Sequence, residues 1–196
     1  METREIRWFS TEPFNKIETT FNQLFAGSII EEPERLDTYL YTSCNEVNIK
    51  IRDGQLDIKK RTSEPKSRIK IGSNGGYAEK WIKWSIDNPL HVRPSEHWYE
   101  VRKQRKLVFL DEHNKIMSYK EDDSKPIGLQ IELTNLSVDE KTFHSIALEW
   151  SSKEYNQNDE ILENLLKDSE LKLLQSMGYP EYLSTIVNKP LALLEF

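Results

Sequence analysis

Apolar and polar residues alternate with period two through most of this chain, and most clearly between residues 46 and 61. There Val47, Ile49, Ile51, Leu56 and Ile58 fall on one face of a predicted hairpin, and Asn48, Lys50, Arg52, Asp57, Lys59 and Arg61 on the other. Asp53-Gly54 suits a two-residue turn that needs positive φ, which sets Arg52 opposite Gln55 and Lys50 opposite Asp57. In a hairpin on its own, the apolar face packs on a core and the basic face meets water. Periodicity assigns residues to faces but does not say which face is inside.

The same alternation predicts further strands. Thr3, Glu5 and Arg7 share one face of a first strand, with Arg4, Ile6 and Trp8 on the other. Strands follow over Leu36 to Thr42, Tyr77 to Ile86, Trp98 to Leu110, Lys115 to Tyr119, Gly128 to Leu136 and Phe143 to Ser151. Trp98 to Leu110 is polar on both faces, so neither is an ordinary core face. Residues 62 to 76, rich in Ser, Gly, Lys and Pro, read as a long connection. A period of 3.6 appears twice. Phe14, Ile17, Phe21, Leu24 and Phe25 predict a helix stopped near Gly27, and Leu162, Leu165, Leu166 and Leu173 predict one from about Asn158 to Gly178. Pro180 opens a short helix to about Ile186.

About eight strands with few helices between them indicate an α+β fold, mainly β, built on an antiparallel sheet or barrel. Residues 1–154 form the barrel domain, and residues 155–196 are helices that pack on it or carry a partner site. Five Trp, eight Tyr and seven Phe exclude a disordered chain. No apolar run spans a membrane and no secretory signal is visible, and the single cysteine, Cys44, fits a reducing compartment, so a cytoplasmic protein is expected. The net charge of -6 argues against general nucleic-acid binding, although a small phosphate ligand sees only its local site.

The charges are not scattered. Bases gather on the middle strands (Lys50, Arg52, Lys59, Arg61, Lys83, Lys103, Arg105), and carboxylates on the first strand (Glu5) and the last two (Glu132, Glu149). In a closed barrel the first and last strands can become neighbours, which would set an acidic wall opposite a basic one. Such walls suit a polyphosphate, with carboxylates holding a divalent cation and bases holding phosphate oxygens. Outward cross-strand ion pairs such as Lys50–Asp57 are the alternative.

The order of these segments resembles the CYTH superfamily, or triphosphate tunnel metalloenzymes. The matching pieces are Thr3-x-Glu5-x-Arg7, Ile49 to Arg52, Leu56 to Arg61, Trp98 to Arg105, Gln130 to Leu133 and Ala147 to Glu149, spread over residues 2 to 152. The resemblance implies a closed eight-stranded antiparallel barrel with peripheral helices, enclosing a charged tunnel, and hydrolysis of a triphosphate-containing compound (inorganic, nucleoside or thiamine triphosphate) with Mg²⁺ or Mn²⁺. It implies metal ligation by Glu5, Glu132 and Glu149, catalytic roles for Glu5 and Arg7, and phosphate binding by Arg52, Lys59, Arg61, Lys103 and Arg105. The family's opening Glu-x-Glu-x-Lys reads Thr3, Glu5, Arg7 here, one carboxylate short. That departure favours an alternative, a catalytically degenerate polyphosphate- or nucleotide-binding protein of the same fold. A protein-interaction barrel is the third reading. The sequence leaves the oligomeric state open.

Overall fold

The computed structural model describes residues 2–62, 67–87, 97–118, 127–151 and 160–186. The hairpin forms in the predicted register. β3 (Val47–Arg52) pairs with β4 (Gln55–Arg61), Lys50 facing Asp57 and Asn48 facing Lys59. Asp53 (φ 50°) and Gly54 (φ 76°) both adopt the left-handed conformation that this turn requires.

The remaining strands are β1 (Glu2–Ser10), β2 (Ile30–Leu40), β5 (Ser67–Ile71), β6 (Asn74–Asp87), β7 (Trp98–Leu110), β8 (Ile116–Met117), β9 (Leu129–Val138) and β10 (Lys141–Trp150). Eight of them run in the order β1-β10-β9-β7-β2-β3-β4-β6, and β6 pairs back onto β1 to close an antiparallel barrel. β5 and β8 are extra strands on β6 and β7. β2 carries an irregularity between Glu32 and Arg35, where Pro33 interrupts pairing with β7.

Two expectations are corrected. Residues 67–76 are not an open connection: β5 and the start of β6 form a hairpin around Gly72 (φ +57°), because Ile69 and Ile71 have an apolar layer to join. The expected helix from Asn158 to Gly178 is broken. Among its described residues, α2 covers only Glu160–Leu165, and a 3₁₀ turn occupies Leu173–Gln175. The Asn74 side chain explains the break, donating to the Leu166 carbonyl and accepting from the Leu171 amide, so it draws the chain off the helical path. The last helix, α3 (Tyr179–Ile186), stands as predicted.

The barrel is inverted in polarity. Ile6, Trp8, Val108, Ile131, Ile146 and Leu148 point outward from the wall. They join one apolar cluster with Ile17, Phe21 and Phe25, in or just after α1 (Asn15–Leu24), and with Leu162, Leu165 and Leu166 in and just after α2. Each large side chain buried there contributes about 1.5–3 kcal/mol. The core is thus a layer between wall and helices, and the barrel lumen takes the polar faces. A second cluster closes one end of the lumen. Phe9, Tyr39, Val101, Leu136 and Phe143 meet Tyr179, Tyr182 and Leu183 of α3, with Phe9 stacked on Tyr182 at 3.9 Å between ring centroids.

The plug depends on Gly178. A Cβ there would stand 2.7 Å from Glu79 Oε2 and 3.0 Å from the Trp81 ring. Gly178→Ala should displace α3 and cost about 1–3 kcal/mol. Faster amide hydrogen exchange over residues 179–186 is the expected readout, and unchanged protection would remove Gly178 from this role.

Candidate functional site

The residues that share the polar faces all meet in the lumen. Thr3, Glu5 and Arg7 face in from β1, and all three are buried. Lys50, Arg52, Asp57 and Lys59 face in from the hairpin, so the basic face is an inner wall and Lys50–Asp57 (3.8 Å) is an internal pair. A cavity of about 490 Å³ opens at the end away from α3. It is lined by six basic side chains (Arg35, Lys50, Arg52, Lys59, Lys83, Arg105) and five acidic ones (Glu32, Glu34, Asp53, Asp57, Glu149). A smaller inner cavity of about 80 Å³ lies against the plug, bordered by Glu5, Arg7, Lys103, Glu132 and Tyr179 among others.

The strand registers explain the acidic side. Glu5 lies directly opposite Glu149 on β10 and opposite Glu79 on β6. Like charges in such positions repel, so each needs a cation. Lys59 stands 3.7 Å from Glu5. Burial opposes the Lys59 charge, but Glu149 and Glu5 outweigh it and raise its pKa above the ordinary lysine value.

Arg7 joins the two halves. Its Nε donates to Glu5 Oε1 at 2.7 Å, and its Nη1 donates to Glu132 Oε1 at 2.8 Å and to Ser145 Oγ at 3.1 Å. Arg105 donates to the other oxygen of Glu132 at 2.8 Å and also pairs with Glu32. Gln130 and Thr134 complete the shell around Glu132. Burial alone would raise the Glu132 pKa; Arg7 and Arg105 hold it well below the usual carboxylate range.

The basic side has its own buried anion. Asp37, fully buried, lies 3.0 Å from Lys103, 3.2 Å from Lys50 and 3.5 Å from Arg35. Lys103 also donates to the Tyr39 hydroxyl at 2.6 Å and sits 3.9 Å from the centre of the Tyr179 ring. Burial is the main reason that the Lys103 pKa falls to about 8; Arg35 pushes the same way against Asp37. Lys50 is depressed too, by burial and then by Lys103, Arg52 and Arg35, against Asp37. Cations crowded enough to depress one another form a site that an added anion relieves.

Of the residues expected from the sequence, Glu5, Arg7, Lys59, Lys103, Arg105, Glu132 and Glu149 come together around the inner cavity, and Arg52 lines the outer one. Arg61 is held differently. It pairs with Glu79 at 2.8 Å and Glu46 at 3.6 Å, beside the plug. Asp37, Glu79 and Tyr179 were missed. Glu79 has the parity of Trp81 and Lys83 and was within reach of the alternation. Asp37 carries no signal beyond its parity with Tyr39, and Tyr179 depends on where α3 docks.

The metal site expected of Glu5, Glu132 and Glu149 can be tested on this geometry. A magnesium-like cation wants oxygen ligands in near-octahedral array. Glu132 is already saturated by two guanidiniums, an amide and a hydroxyl, and Glu5 is held by Arg7 and Lys59. Among the described residues no three His, Cys, Asp or Glu side chains converge as a metal-holding group. The side chains as arranged do not fit a resident divalent metal.

No protein-family model matches the chain, and no curated protein does. Among solved structures, one similar chain is a candidate adenylyl cyclase from Hippeastrum described by a dominant triphosphatase activity. It is 12% identical, with a TM-score of 0.37, over 78% of this chain and 80% of that one. A likeness of that degree assigns neither activity nor site residue. Among the described residues no helix is long and apolar enough to cross a membrane.

Proposed function

We propose that this protein binds a linear triphosphate or short polyphosphate in the lumen, with the chain's end directed at the plug. The observation that carries the reading is the set of six basic side chains (Arg35, Lys50, Arg52, Lys59, Lys83 and Arg105) that line the outer cavity, with Lys103 behind them at the inner one; burial first, and then Lys103, Arg52 and Arg35, hold Lys50 below its ordinary pKa. Arg52 and Lys59 would meet phosphates in the outer cavity, and Lys103 and Arg105 in the inner one. Arg guanidiniums suit paired phosphate oxygens, and lysines act as point charges. The barrel and the C-terminal helices would act as one unit, since α3 forms the floor.

Titration with tripolyphosphate tests this. At a ligand concentration 100 times Kd, binding adds about 2.7 kcal/mol to stability. A melting temperature that rises with tripolyphosphate, and does not rise with matched ionic strength of chloride, is the expected result. No rise would overturn the reading.

The pH dependence has a defined sign. An anion held by Lys103 is lost as that lysine deprotonates, so affinity should fall across its pKa of about 8. Stability of the free protein should move the other way. A lysine depressed in the folded state and ordinary when unfolded opposes folding below its folded pKa. That opposition disappears as pH rises from about 8 towards the unfolded value near 10.4. Calorimetric titration over this range checks the first statement, and urea unfolding without ligand the second. Affinity that stays flat across it would mean that Lys103 does not hold the anion.

Hydrolysis of the bound triphosphate is a second reading. It is favoured by Glu149, which stands opposite Glu5 and lines the outer cavity with the phosphate-binding bases. Such a carboxylate can orient a water at the terminal phosphoryl group. Phosphate release from tripolyphosphate, ATP and thiamine triphosphate, with and without Mg²⁺ or Mn²⁺, distinguishes binding from turnover.

A further inference from the structure

We propose that the Arg7 guanidinium serves as a built-in bridging cation, so that a polyphosphate binds in this lumen without a divalent metal. The inference rests on the polyphosphate-binding reading and adds the identity of the cation that joins the acidic wall to the ligand.

A bridging metal has two sides. One neutralises carboxylates, and the other meets phosphate oxygens. Arg7 already does the first. Its Nε and Nη1 hold Glu5 at 2.7 Å and Glu132 at 2.8 Å, which join the carboxylates of β1 and β9 across β10. It has a second edge to offer. No acceptor among the described residues bonds its Nη2, and Arg7 borders the inner cavity beside Lys103, Lys59 and Arg105. Two N–H donors are therefore available where an anion would arrive.

The geometry of that edge is built. Arg7 is 5% exposed, its guanidinium lies 4.8 Å from the centre of the Tyr179 ring, and Ser145 Oγ accepts a further N–H at 3.1 Å. Its position is therefore set before any ligand enters. Its charge is permanent at every pH of interest. A metal ion, in contrast, would have to expel the guanidinium from Glu5 and Glu132 together. The neutral hydroxyl of Thr3, buried and without a hydrogen-bond partner among the described residues, lines the mouth and brings no charge to assist it.

The test is calorimetric titration of tripolyphosphate into EDTA-treated protein, beside the same titration with excess MgCl₂. Affinity in EDTA should be no more than about threefold weaker than with Mg²⁺. Binding more than about tenfold weaker in EDTA would overturn the inference and leave the polyphosphate reading standing. No binding under either condition would overturn both. Arg7→Gln supplies the converse: binding in EDTA is lost and Mg²⁺ restores part of it, because Glu5 and Glu132 are released. Wild-type affinity of that variant in EDTA counts against the proposal. Should the variant not fold, Mn²⁺ titration of the wild type followed by electron paramagnetic resonance decides. Without tripolyphosphate no Mn²⁺ should be immobilised, and tight binding of Mn²⁺ would overturn the inference.

Discussion

Arg7→Leu should lower the unfolding free energy by about 3–5 kcal/mol, read as a fall in urea midpoint at an unchanged slope. The size of the effect comes from what is left behind. Glu5 and Glu132 lie within the barrel at 8% and 3% exposure, and both lose the guanidinium that holds them. A hydrogen bond or ion pair near the surface would be worth about 1 kcal/mol or less. Removing one partner of a buried pair costs far more than the pair itself contributes. The double variant Arg7→Leu/Glu132→Leu should therefore recover part of the loss, since one stranded charge goes with the cation. A single variant that loses under about 1 kcal/mol would show that Arg7 is not what compensates these carboxylates.

Asp37→Asn should destabilise the protein by a similar amount, about 3–5 kcal/mol, and should enlarge the stabilisation by tripolyphosphate. Asp37 is the shared anion of Lys103, Lys50 and Arg35. Burial would raise its pKa, yet Lys103, then Lys50 and Arg35, hold it far below the usual range. A group depressed in this way stabilises the fold above its unfolded pKa, near 3.9, and the contribution drains away as pH falls below that value. Asparagine keeps the shape and deletes the charge, so Lys103, Lys50 and Arg35 lose their shared counterion. A polyphosphate then supplies it, and the rise in melting temperature on adding ligand should exceed that of the wild type. An equal rise in both proteins would mean that these cations do not reach the anion.

The two predictions depend on different kinds of information. The face shared by Glu5 and Arg7, and the register that sets Lys50 against Asp57, follow from period two and a two-residue turn. The alternation alone leaves an antiparallel sheet or a barrel, and the family resemblance selects the closed barrel. That the charged face turns inward does not follow from any one strand. It is decided by the outer layer, where α1, α2 and β5 bury Trp8, Ile131 and Leu148 and leave the lumen to the other parity. The spread of charge over the strands raises the inward reading, and the family resemblance supports it and assigns roles to most of the basic residues. The resemblance could not place Arg61, because the Glu79 that holds it lies one strand away in the closed barrel and 18 residues away in the chain. It also said nothing of the floor. Tyr179 enters the lumen only because Gly178 lets α3 approach Glu79 and Trp81 so closely. The broken helix between Glu160 and Gln175 was illegible for the same reason, since Asn74 is distant in sequence from the backbone that it holds.

Inverting a barrel also changes how the protein responds to temperature. Unfolding an ordinary core exposes mainly apolar surface, which raises the heat capacity by about 0.45 cal/K/mol per Å², whereas polar surface lowers it by about 0.26. Here unfolding hydrates Glu5, Arg7, Asp37, Lys103 and Glu132 along with the outer apolar layer. The two contributions oppose each other. The stability curve of this chain should be flatter than that of an apolar-filled barrel of equal length, so that the charged lumen keeps its shape over a wider span of temperature.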